Sequence, residues 1–228
     1  MQPQEATTEW LFKLWPWFEA NTKRIAFGAI FVVIAAFVIS FYSYEQNKKE
    51  VDAGEAFTQA LMTPGDGEKA DAYLKVATDY PNTRAGQRAL LQAAAALFAA
   101  GKYEDAQTQF QKFIDSYPDS AFAAQASLGV AASLDARGKT DLAADAYQRT
   151  INQATAPSTL LAAEFALAQI DDHQGKISDA LRLYEDVAQK SPNGSIGSEA
   201  GLRALELKNK LPASQAPAAP STTFDLSH

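Results

Sequence analysis

Cysteine is absent from the 228 residues, which excludes disulfides and a thiol-linked lipid anchor. Histidine is nearly absent as well: only His173 and His228 occur. His173 follows Asp171 and Asp172 close to a helix end; a metal or acid–base role would use those carboxylates, whereas the helix dipole alone favours an imidazole there, the reading adopted. No phosphate-cradling glycine loop, calcium loop or nucleophile elbow is present, so no catalytic residue, metal ligand or cofactor site is assigned. Strand signals are missing throughout, and a formal net charge of −7 excludes a broad nucleic-acid surface. Tryptophan is confined to the start of the chain, at Trp10, Trp15 and Trp17.

Charge is missing from one long run. Ile25 to Tyr44 reads IAFGAIFVVIAAFVISFYSY, 20 residues without Asp, Glu, Lys, Arg or His, eleven of them Ile, Val or Phe. At helical rise this length crosses a bilayer core, and the summed insertion energy outweighs Gly28 and Ser40. A signal peptide would have a shorter tail, a shorter apolar stretch and a small-x-small end in place of FYSY. The predicted anchor therefore stays in the membrane. Lys13, Lys23 and Arg24 precede it and Lys48 and Lys49 follow it, which favours a cytoplasmic N-terminus. Trp10, Leu11, Leu14, Trp15, Trp17 and Phe18 read as an interfacial belt.

Beyond the span the chain repeats every 37 residues. Gly101-Lys102, Gly138-Lys139 and Gly175-Lys176 share one phase. So do Ala106, Ala143 and Ala180, and the aromatics Tyr73, Phe110, Tyr147 and Tyr184. Pro81, Pro118 and Pro192 recur likewise, with Thr155 standing where the intervening proline is expected and Pro157 two residues on. Each unit predicts two helices. The alanine-rich first ones contain 89–100, 124–136 and 159–172; glycine ends them, and second helices begin after Lys102, Lys139 and Lys176. Small alanines permit close approach of the paired helices, and the recurrent aromatic fills the space between units. Val51 to Met62 supplies an earlier first helix, growing directly out of the anchor, with Pro64 and Gly65 at its turn. The segment 195–211 is a capping helix. The expected organisation is a tail over 1–24, a transmembrane helix over 25–44, a repeat domain over 45–211 and a disordered tail over 212–228.

These residues resemble tetratricopeptide repeats: Gly101, Ala106, Phe110 and Pro118 keep that family's spacing, and Ala94, Ala131 and Ala168 its small helix-contact position. The resemblance covers roughly Val51 to Leu211 and implies an all-α fold, a transmembrane helix followed by a solenoid of about four helix pairs and a cap. It departs from the family at Leu90, Ser127 and Glu164, where a large aromatic is usual, and at Leu205, where a small residue is usual. Tyr80-Pro81-Asn82-Thr83 and Tyr117-Pro118-Asp119-Ser120 look like the turns of bacterial envelope repeat proteins. The layout is similar to that of the YfgM-like ancillary subunit of the Sec translocon.

That resemblance implies a non-catalytic interaction scaffold, anchored in the bacterial inner membrane with its repeats in the periplasm, assisting secretion or envelope biogenesis. Its expected partners are a protein or peptide on the inner face, the inner membrane, and the Sec translocon or envelope chaperones. A holdase for unfolded chains and a cytoplasm-facing adaptor are the alternatives. Leu91, Leu128, Phe165 and Leu202 recur along the first helices that line such an inner face, flanked by Arg88, Phe98, Gln125, Asp135, Gln169 and Asp172. An apolar row with a polar rim suits an extended or helical peptide. The same row also suits packing between helices.

Overall fold

The computed structural model describes residues 9–210, except the side chains of residues 9–15, 18 and 25. Most side chains of the expected tryptophan belt are therefore not described, and the expected disordered tail lies outside the described residues. Within them the regular structure is entirely helical: α1 (Glu9–Met62), α2 (Asp66–Asp79), α3 (Arg84–Ala99), α4 (Tyr103–Ser116), α5 (Ala123–Ala136), α6 (Thr140–Gln153), α7 (Pro157–His173), α8 (Ile177–Lys190) and α9 (Ser195–Lys210). Two compact units divide at Gly54 and Glu55.

The first unit consists of helix α1 up to that division. Its segment from Glu19 onward is the one described helix long and apolar enough to cross a membrane, and its most apolar window is wholly unburied. Phe27, Phe31 and Phe37 are each more than 70% exposed. Such a contiguous apolar surface is far larger than a water-soluble surface ordinarily carries.

In the second unit each helix packs on its neighbours in sequence, and alternate helices α3, α5, α7 and α9 also touch. This is the nearest-neighbour arrangement of a solenoid. The core runs along it as three successive clusters, each with a recurrent aromatic: Tyr73, then Phe110, then Tyr147 with Tyr184. All four rings are no more than 6% exposed, as the spacing predicts. Fully buried Ala94, Ala131 and Ala168 face fully buried Ala106, Ala143 and Ala180 across the helix pairs.

Three turns are built alike. Gly101, Gly138 and Gly175 have φ of 75°, 71° and 73°, the left-handed region that glycine enters without a steric penalty. The following N–H then reaches back past the helix end: Lys102 to the Leu97 carbonyl at 2.9 Å, Lys139 to Leu134 at 3.0 Å, Lys176 to Asp171 at 2.8 Å. This is the Schellman closure that satisfies the last carbonyls.

The first helices start earlier than their alanine-rich runs. α3 begins at Arg84 because Thr83 caps it, its Oγ1 accepting the Gly86 N–H at 2.9 Å. A side chain at Gly86 would run into the Tyr80 carbonyl, so only glycine lets the turn pass this close. α7 begins at Pro157 in the first helical position, where the missing N–H costs nothing.

Candidate functional site

The inner row is graded. Leu91 is 5% exposed and belongs to the core around Phe110, whereas Leu128 and Phe165 are half-buried against the last cluster and Leu202 is 69% exposed. Packing accounts for Leu91, and an accessible apolar surface remains at Leu128 and Phe165. Phe165 stands edge-on to Tyr184, centroids 5.5 Å apart, a favourable quadrupole geometry.

Between α3 and α5 the row opens into a mostly apolar groove of about 260 Å³. α3 contributes Leu91, Ala95 and Phe98; α5 contributes Gln125, Leu128 and Gly129; Phe110 of α4 forms the floor. Four of the predicted residues thus converge: Leu91, Phe98, Gln125 and Leu128. Gly129 is the reason the floor exists, since a Cβ there would lie 2.5 Å from the Phe110 ring. The groove is one large side chain in capacity, apolar within and carrying exposed Gln125 at its rim.

The other predicted residues lie off this groove. The Arg88 guanidinium of α3 sits 5.7 Å from the centroid of the Phe57 ring, a cation–π contact between the first and second repeats. Asp135, Phe165, Gln169 and Asp172 are on α5 and α7 but do not line the groove. The two aspartates repeat at one phase, each close to a buried tyrosine. Burial, reinforced by the Asp135 charge, pushes the Tyr147 hydroxyl well above its ordinary range. Burial, with Asp172 the next cause, raises Tyr184 to about 12.

Gly129, Gln92, Ala95 and Ala132 also line the groove and were not singled out from sequence. Their signal is a break in the repeat: Gly129 falls in phase with Gln92 and Ala166. Among the described residues no group of three histidines or carboxylates could hold a metal ion.

The fold and its inner groove define a tetratricopeptide-like α-solenoid, a class that works by holding protein partners. The sequence profile of the tetratricopeptide repeat-like domain matches residues 16–116. Among solved structures, the nearly identical TPR-like repeats of a Podosopora anserina kinesin light chain are similar over 73% of this chain and 88% of their own, at 14% identity and a TM-score of 0.50. The MamA RS-1 ArsTM double mutant is similar over 71% of this chain and 96% of its own, at 17% identity and a TM-score of 0.51. At these identities the likeness is one of fold. No curated protein matches the chain.

Proposed function

We propose that the protein is a membrane-anchored, non-catalytic scaffold that holds a protein or peptide partner along the inner face of its repeats. The observation that carries this is the α3–α5 groove, an apolar slot with a glutamine rim on the face where first helices align. Apolar anchors entering such a slot dominate affinity, while rim groups tune selectivity. The exposed apolar surface of α1 supports anchoring. Its 25–44 segment spans the bilayer in this reading, and the basic residues before it favour a cytoplasmic N-terminus with the repeats in the periplasm of a bacterial envelope. A role in secretion or envelope biogenesis, beside the Sec translocon, fits that placement.

A photocrosslinker at Gln125 or Gln169 in native membranes is expected to capture the partner. One at Gln148, exposed on second helix α6, is expected to capture nothing. Capture through Gln148 alone moves the site to the convex side, and capture at neither face moves docking to the N-terminal segment.

A further inference from the structure

The α3–α5 groove is apolar and takes one large side chain, but its two ends differ in charge. Arg88 stands exposed on α3, one turn before Leu91 and Gln92 of the lining. Its guanidinium rests on the Phe57 ring, and among the described residues no carboxylate pairs with it. The opposite end, at Phe98, is level by repeat phase with Asp135 and Asp172 in the last turns of α5 and α7. The groove therefore suits a segment with one large apolar anchor and a carboxylate directed toward Arg88.

The sequence after α9 contains such a segment. In LPASQAPAAPSTTFDLSH, residues 211–228, the large apolar residues are Leu211, directly after the helix, and then Phe224 and Leu226; Asp225 is the one Asp, Glu, Lys or Arg. Lys210, which ends α9, shares the repeat phase of Ala99, so the chain leaves α9 at the level of the groove's Phe98 end. Packed helices lie about 8–10 Å apart, which puts the α3–α5 gap, two and a half first helices away, at about 25 Å. Residues 211–223, at about 3.1 Å each, reach about 40 Å. A linker matched to its span holds its end near the site at an effective concentration in the millimolar range. Direction agrees as well: a segment entering past Phe98 lays Phe224 over the Phe110 floor and carries Asp225, the next residue, toward Arg88 and away from Asp135 and Asp172.

We propose that Phe224 and Asp225 of the same chain occupy the α3–α5 groove, Phe224 as the apolar anchor and Asp225 paired with Arg88, so that a partner must displace them. This rests on the reading of the groove as the docking site and adds its regulation. A tethered occupant turns away apolar ligands that bind the slot alone, and yields to a partner that holds more of the inner face.

The test uses the full chain, purified into lipid nanodiscs without a partner, where the cysteine-free background makes thiol pairs unambiguous. Ala95 lines the groove, whereas His173, exposed at the end of α7, is nearer to α9. Thr223→Cys with Ala95→Cys is expected to form an intramolecular disulfide about tenfold faster than Thr223→Cys with His173→Cys. Phe224→Ala should erase that preference. Asp225→Lys should weaken it, and Arg88→Glu added to Asp225→Lys should restore it, a rescue that tethering or apolar collapse alone does not give. Rates ordered by distance from α9, with the His173 position faster, overturn the proposal, as does a preference that survives Phe224→Ala. In native membranes carrying a photocrosslinker at Gln125, Phe224→Ala is expected to raise the yield of partner adduct. An unchanged yield overturns self-occupancy and leaves the groove as the docking site. No adduct in either chain overturns the docking reading, and the disulfide rates still decide self-occupancy.

Discussion

Tyr147 lies 4% exposed in the last core cluster, and its truncation would leave a cavity that the surrounding helices fill only in part. Tyr147→Ala is expected to lower stability by about 3–5 kcal/mol, while Gln148→Ala, one residue on and exposed, should stay within about 0.5 kcal/mol. Equal denaturation midpoints would contradict the packing register. The same ring sets a pH dependence. Because burial holds the Tyr147 and Tyr184 hydroxyls protonated beyond the ordinary value of 10.0, the unfolded chain ionises first. Stability is therefore intact below that pH and falls as the pH climbs past it. Tyr147→Phe should give a shallower alkaline loss in melts across that range. Glu164 is a different case: it is 4% exposed, pairs with Lys190 at 2.7 Å and leaves Oε2 without a partner. Removing Lys190 strands a buried carboxylate and is expected to cost about 1–3 kcal/mol. Glu164→Leu, matching Leu90 at the same phase, should be neutral or stabilising, as paired chemical melts would show.

At the level of helices and turns, the sequence periodicity carried most of the information, because a repeat that buries one aromatic and one alanine pair per unit must keep them in phase. The starts of the second helices were legible to the residue: α4, α6 and α8 begin at Tyr103, Thr140 and Ile177, directly after Lys102, Lys139 and Lys176. Helix starts were less legible, since the cap at Thr83 and the Pro157 start depend on local hydrogen bonds and not on apolar spacing. The groove was half legible. Leu91 and Leu128 follow from phase, and Phe98 and Gln125 flank them, but Gly129 matters through the Phe110 ring it admits, a contact between helices that no spacing reveals. Gly129→Ala is accordingly expected to shift that ring and destabilise the solenoid by about 1–3 kcal/mol. Gly138→Ala meets no neighbour but forces a left-handed φ of 71° on alanine, a cost of about 1 kcal/mol. Thermal melts of the two variants separate crowding from backbone strain, because Gly138→Asn should recover part of the second loss only.

For the whole molecule, the proposed function joins an apolar helix long enough to cross a membrane to a solenoid that offers a groove. The orientation of the anchor is tested by Ser214→Cys, a unique thiol in this chain. With a cytoplasmic N-terminus, an impermeant thiol reagent labels it as soon as the outer permeability barrier is opened; labelling only after the inner membrane is broken reverses the orientation. The central claim, that a partner seats an apolar group between α3 and α5, is tested most directly by filling that slot. Ala95 lines the groove and is exposed, so Ala95→Phe places a ring in the partner's space without emptying the core. In membranes carrying a photocrosslinker at Gln125, this change should abolish the partner adduct formed by the unfilled groove while the melting profile is retained. An adduct of undiminished yield, with the groove filled and the fold intact, would contradict the account.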